Sequence, residues 1–241
     1  MISSPQNFER VKSVSKLQQR LEMIMQYVIY CYSIMCKEEI KYKKEDSKKE
    51  DGKYHLEVYL NKRLVDDYLN TRTNTATYKK LISNDPCVSI FFSNEPSQTL
   101  NDNKDEFIDI QIFESTLDSL MANETPNHIY FAIECKLISN GYSEYVSDIE
   151  KFCNYNHTTF RLPFESQIGY ILNPKYTTEH VAKGINENLK RNTQITTLEQ
   201  LKHVHIVENF DGSYVSKHKR NYNDLNFTDY HLLFNYSEIV I

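Results

Sequence analysis

Apolar positions in the first part of the chain recur every three or four residues. Phe8, Val11, Val14, Leu17, Leu21, Ile24, Met25, Val28 and Ile29 mark one face of a helix over residues 6–36. The stretch from Lys37 to Lys53 then mixes both charge signs densely and reads as a solvated helix end or linker. Past the break at Gly52, a second helical face runs from Tyr54 to Leu69 on Leu56, Tyr59, Leu60, Leu64, Val65 and Tyr68.

The middle of the chain changes period. Short runs rich in Ile, Phe and Tyr, at Cys87 to Phe92, Glu106 to Phe113 and Ile129 to Ile138, lie between turn-forming segments and predict strands. Over Phe107 to Phe113 the alternation is strict, so Asp109 stands on the face opposite Ile108, Ile110 and Ile112. A helix follows Gly141, with Ser143 as its cap and Tyr145, Val146, Ile149, Phe152 and Cys153 as its apolar side. Gln167 to Leu172 reads as a strand, and a helix beginning near Thr177 or Thr178 buries Val181, Ile185 and Leu189. His203 to Val207 and Phe227 to Tyr236 complete the predicted strands. Helices first, then strands and helices interspersed, predict an α/β fold with a mixed central sheet flanked by helices. Residues 1–53 form a helical lead-in and charged linker in this reading, and residues 54–241 the domain proper.

Composition narrows the classes. With 40% hydrophobic and 25% charged residues among 241, the chain builds a sizeable core and is not disordered. The 18 Tyr and 12 Phe are assigned to core packing. A net charge of −5 argues against binding nucleic acid by charge neutralisation over the whole surface. It leaves local basic patches, a partner subunit or bridging metal ions. Cys31, Cys36, Cys87, Cys135 and Cys153 form no paired motif and read as reduced thiols. The most apolar segment, Leu21 to Cys36, is broken by Glu22, Gln26 and Ser33, and the N-terminal residues lack a signal-peptide core. A soluble cytoplasmic protein with no membrane segment is the expectation.

Glu134-Cys135-Lys136 closes one apolar strand and Asp109 interrupts another, 25 residues earlier. In a strand, Glu134 and Lys136 share a face, and pairing of the two strands would bring Asp109 beside Glu134. Two carboxylates there would hold a hard divalent cation, Mg2+ or Mn2+. Such a cation polarises a phosphodiester and lowers the pKa of bound water, while a neighbouring lysine positions that water. Cys135 points to the opposite face as a packing residue. D…ExK at this spacing also arises by chance, as a solvated salt bridge at the end of a strand.

The stretch Asp109 to Leu172 resembles the PD-(D/E)xK, or restriction-endonuclease-like, nuclease superfamily, in particular an uncharacterised bacterial branch associated with defence. That branch has a D-I-x-I strand, an apolar strand ending E-C-K-R-L, a helix with Y-x-x-x-x-I-x-x-F and a strand with G-Y. Asp109, Glu134, Cys135, Lys136, Tyr145, Ile149, Phe152, Gly169 and Tyr170 stand in that order here, with Leu137 where the family has Arg. The resemblance extends less specifically to His55–Asn70, where Glu57 matches a supporting acidic residue. It extends also to an S-x-H-x-R element and a strand with a leading histidine, matched by Ser216, His218, Arg220 and His231.

The resemblance implies a Mg2+- or Mn2+-dependent endonuclease acting on nucleic acid, DNA ahead of RNA, in anti-phage defence or restriction. A partner protein and a homodimer are compatible with it. Asp109, Glu134, Lys136 and Glu57 would be catalytic, and Asp109, Glu134 and Cys135 would hold the metal. Lys217, His218 and Arg220 form the best basic patch for phosphate contact, with a ligand-free surface loop as the alternative. Gln167 could reach the site from its strand but reads as a surface residue, and His203 and His205, metal-ligand candidates without a third ligand at suitable spacing, read as an exposed strand face. A non-catalytic binding or assembly subunit of the same fold, and a ribonuclease toxin, remain open beside the nuclease.

Overall fold

The computed structural model describes residues 5–50, 52–82, 89–94, 97–99, 105–115, 131–154, 163–222 and 225–241. The elements are α1 (Pro5–Lys37), α2 (Leu56–Leu64), α3 (Arg72–Ile82), β1 (Ile90–Asn94), β2 (Ser97–Thr99), β3 (Asp105–Phe107), β4 (Ile110–Glu114) and β5 (Phe131–Ile138). Then come α4 (Ser143–Asn154), β6 (Phe164–Ile171), α5 (Thr178–Arg191), β7 (Thr196–His203), β8 (Ser213–Lys219) and β9 (Asn226–Asn235).

Seven strands make one mixed sheet in the order β1-β4-β5-β6-β9-β8-β7, and β2 pairs with β3 apart from it. β5, β6 and β9 run parallel at the centre, and antiparallel pairs extend the sheet on both sides. Parallel neighbours require a crossover, and α4 supplies it between β5 and β6. All eight residues of β6 are buried, as a strand covered on both faces must be.

Side-chain alternation then divides the core into two layers. Ile133 and Cys135 of β5, Ile168 and Tyr170 of β6, and Leu232 and Phe234 of β9 pack with Leu17, Leu21, Ile24 and Val28 of α1 and with α2. Ile138, Ile171 and Leu233 point the other way, under Tyr145, Ile149 and Phe152 of α4 and Val181 and Ile185 of α5. The N-terminal helix therefore covers one sheet face. The charged tract after it is tied down too: Tyr42 N donates to the Ile239 carbonyl at 2.8 Å, and Ile241 N donates to the Tyr42 carbonyl at 3.0 Å.

The strand expected over Glu106–Phe113 is interrupted. β3 ends at Phe107 and β4 begins at Ile110, with Asp109 in a bend where its side chain takes a main-chain N–H of the neighbouring strand. The expected strand at His203–Val207 lies instead at Thr196–His203, with His205 in an irregular segment. The second helix does not remain α-helical to Leu69. It passes into one π turn over Val65–Leu69, closed by Asn70 N to the Val65 carbonyl at 3.0 Å. Three elements were not foreseen, α3, β2 and β8. Cys87, Val88, Ile129 and Tyr130 lie outside the described residues. No helix among the described residues is long and apolar enough to cross a membrane.

Candidate active site

The β4–β5 pairing sets Ile110 opposite Ile133 in antiparallel register, which carried one step further puts Asp109 opposite Glu134. Asp109 Oδ2 accepts the Cys135 N–H at 2.7 Å, fixing its carboxyl against the strand that carries Glu134. The two carboxyl groups lie close enough to perturb each other's ionisation. Burial, then the charges of Asp109 and Asp148, push Glu134 up to about 9, so the pair shares a proton at neutral pH. Burial also raises Asp109, against the pull of the Cys135 N–H and Lys136.

Lys136 stands two residues on, on the same face. Its Nζ lies 3.0 Å from Glu57 Oε1 and 3.6 Å from Asp148 Oδ2. Burial works against this ammonium, but the carboxylates of Asp148 and Glu57 outweigh it and hold its pKa above the usual lysine range. These contacts hold Lys136 in its ammonium form in the metal-free protein. Glu57 comes from α2 across the chain and anchors twice: Oε1 takes Lys136, and Oε2 takes the Leu137 N–H at 3.1 Å.

Two further residues complete the cluster, the first of them not singled out from the sequence. Asp148 of α4 is 0 % exposed, and its Oδ1 lies 2.7 Å from Lys151 Nζ. The signal was available, since Asp148 sits three residues after Tyr145 and four before Phe152, within the apolar stripe of the helix. A carboxylate there needs a partner. Gln167, expected at the surface, is buried opposite Glu134 in the β5–β6 register, and its Nε2 donates to the Tyr145 carbonyl at 3.3 Å. Gly169 makes the close seating of α4 possible: a Cβ there would meet Ile138 Cδ1 at 2.6 Å and Tyr145 Cε2 at 3.2 Å.

The expected basic patch is dispersed by β8, whose alternate residues point to opposite faces. His218 and Arg220 are buried, so neither presents a surface to a phosphate. Arg220 pairs with Glu165 and donates to the Phe152 carbonyl. Lys217 remains accessible but pairs with Glu199 at 2.6 Å. His218 belongs to a hydrogen-bonded chain: Tyr145 Oη to His231 Nδ1 at 3.0 Å, His231 Nε2 to Ser216 Oγ at 2.8 Å, Ser216 Oγ to His218 Nε2 at 2.7 Å, and His218 Nδ1 to Thr197 Oγ1 at 3.2 Å. Burial lowers His218 to about 4 and drives His231 well below its ordinary value, so both rings are neutral. Each group then has one proton to give, and the bonds run in a single direction along the chain.

His203 and His205 are exposed, as expected, with ring centroids 4.6 Å apart. Cys135 is fully buried on the α1 side, where Tyr170 Oη approaches its Sγ at 3.7 Å. A cavity of about 390 Å³ between α1 and the outer strands, lined by Glu22, Gln26, Lys217 and Tyr230, opens on the sheet face away from Glu134 and Lys136.

Among the described residues, no three His, Cys, Asp or Glu side chains converge as a preformed ligand set. The charge balance nevertheless suits a divalent cation. Four carboxyl groups (Glu57, Asp109, Glu134 and Asp148) face two ammonium groups (Lys136 and Lys151), which leaves two negative charges in excess when all are ionised. Mg2+ is commonly held by only one or two carboxylates together with waters. Asp109 and Glu134, relieved of their shared proton, are such a pair. Comparison with family models, with curated proteins and with solved structures finds no match.

Proposed function

We propose that this chain is a Mg2+- or Mn2+-dependent nuclease built on a restriction-endonuclease-like core, hydrolysing nucleic-acid phosphodiesters with DNA ahead of RNA. The observation that carries this is the pair of buried carboxyls, Asp109 and Glu134, held together beside a lysine that is permanently charged. Asp109, Glu134 and the Cys135 carbonyl would hold the metal. When bound, the metal supplies Lewis-acid polarisation of the phosphate and a water acidic enough to attack at neutral pH.

Lys136 orients the incoming water and phosphate and stabilises the negative charge that builds on the phosphoryl oxygens. It gives and takes no proton, because two carboxylates lock it in the ammonium form. Glu57 acts by holding Lys136 in place. The acidic chain fits engagement through a defence-system partner or a second copy rather than through a broad basic surface.

One observation favours a second reading, a non-catalytic subunit of the same fold: Lys136 is already paired twice and faces no free anion. Cleavage assays separate the two. Plasmid, linear duplex, single-stranded DNA and RNA are incubated with Mg2+, Mn2+ or EDTA, using wild type, Glu134→Ala and Lys136→Ala. The nuclease predicts metal-dependent cutting lost in both variants. Cutting of RNA alone would convert the proposal to a ribonuclease. Cutting that survives in Glu134→Ala, or no cutting by wild type with any substrate or metal, would refute the assignment.

A further inference from the structure

We infer that Lys151 is a substrate-phosphate contact of this site, a second working lysine delivered by α4 beside the one on β5. The inference rests on the nuclease proposal and deepens it.

Asp148 and Lys151 are one helical turn apart on α4, and Asp148 has no solvent exposure. Its two oxygens bridge two ammonium groups, Lys151 at 2.7 Å and Lys136 at 3.6 Å. The two lysines differ in what else they touch. Lys136 is only 19 % exposed and is shared with Glu57. Lys151 is 47 % exposed, and among the described residues Asp148 is its one ion-pair partner. An ammonium has three donor hydrogens, so with one on Asp148 two remain to face outward.

Lys151 also lies within electrostatic reach of Glu134, since its charge eases ionisation of that carboxyl. Through Asp148 the ammonium of Lys151 is linked to Lys136, and so it borders the cluster that holds the Asp109–Glu134 pair. A half-exposed ammonium beside a cluster of four carboxyl groups offsets their repulsion of an incoming nucleic acid, for the phosphate being cut or for its neighbour. Anchoring on a buried aspartate fixes the lysine's position, which a free surface lysine would lack.

The competing account is that Lys151 only neutralises Asp148 and complements the C-terminal end of α4. Salt dependence separates the two. Binding of a short labelled DNA duplex to the full chain is measured with Ca2+ in place of Mg2+, across a range of salt concentrations, for wild type, Lys151→Gln and Lys151→Arg. A lost phosphate contact lowers the slope of log K against log salt by about 0.9. The expected result is that reduction in Lys151→Gln, weaker binding at every salt concentration, and a slope restored in Lys151→Arg. A wild-type slope in Lys151→Gln, with only thermal stability reduced, overturns the inference and leaves the nuclease proposal standing. Wild type that binds neither this duplex nor a matched RNA overturns the nuclease proposal, and the inference with it. If Lys151→Gln fails to fold, the double variant Asp148→Asn/Lys151→Gln removes both partners of the pair and leaves no unpaired buried charge. The same slope reduction is expected in it, and an unchanged slope is equally contradictory.

Discussion

The face of the sheet beneath α4 holds two buried polar assemblies that solve the same problem differently. Around β5, Glu57, Asp109, Glu134 and Asp148 crowd two lysines, and the arrangement carries more negative charge than it can pair. Around β8 and β9, Tyr145, His231, Ser216, His218 and Thr197 are hydrogen-bonded end to end, and the buried Asp229 carboxyl, whose ionisation burial suppresses, lies 3.7 Å from His231 Nε2. Buried charge without full compensation costs stability, whereas a satisfied neutral network fixes geometry. The contrast supports the proposal that the first assembly is organised around a bound cation, while the second ties α4 to β8 and β9. Tyr145 links them, because α4 delivers Asp148 and Lys151 to one and a hydroxyl to the other.

The sharpest way to break this division is to truncate a member of each. Asp109→Ala should reduce cleavage by about a thousandfold or more, as expected when metal-assisted stabilisation of the transition state is lost. Its thermal midpoint should change little, since relief of the crowding with Glu134 offsets the loss of the acceptor for the Cys135 N–H. Plasmid nicking and differential scanning fluorimetry read the two quantities on the same sample.

His231→Phe should behave in the opposite way. It leaves the Tyr145 hydroxyl without its partner and Ser216 with only His218, a loss of about 2–3 kcal/mol in a buried network. For a chain of this size that corresponds to a midpoint lowered by about 5–10 °C. Cleavage by the folded fraction should stay near wild type. Gly169→Ala tests the seating of α4 directly and should cost about 1–3 kcal/mol by overpacking, because Ile138, Leu233 and Tyr145 already occupy the space of a Cβ.

pH separates the assemblies by sign. Glu134 is raised in the folded state, so its contribution is fully present below its ordinary value of 4.5 and is lost as pH climbs toward about 9. His218 is lowered, so its contribution is present above 6.5 and is lost as pH falls toward about 4. Metal-free protein should therefore show a stability maximum between these limbs. Glu134→Gln should flatten the alkaline limb, and His231→Phe should change only the acid limb. Thermal midpoints across pH 4 to 9 would show whether the limbs exchange.

Much of this arrangement was legible in the sequence where a periodic pattern carries the information. The faces of α1, α2 and α4 and the buried strands β5, β6 and β9 follow from the spacing of apolar residues, and the co-facial Glu134 and Lys136 follow from strand alternation. Register was not legible. Asp109 meets Cys135 because of the β4–β5 pairing, which no local signal encodes. The basic run at Lys217–Arg220 misled, because a strand sends alternate residues in opposite directions. Only burial by α4 and α5 shows that His218 and Arg220 are structural. α3 escaped because Arg72-Thr-Asn-Thr-Ala-Thr has low intrinsic helix propensity and is held by its surroundings, with Tyr78 buried against Tyr27.

The most direct test of the central claim is calorimetric titration of the metal-free protein with Mg2+ at neutral pH, in two buffers of different ionisation enthalpy. If Asp109 and Glu134 form the metal site, binding is accompanied by proton release, because the cation displaces the proton the two carboxyls share. Both binding and release should vanish in Glu134→Gln. Binding that persists in Glu134→Gln, or the absence of any Mg2+ binding even with nucleic acid present, would contradict the account.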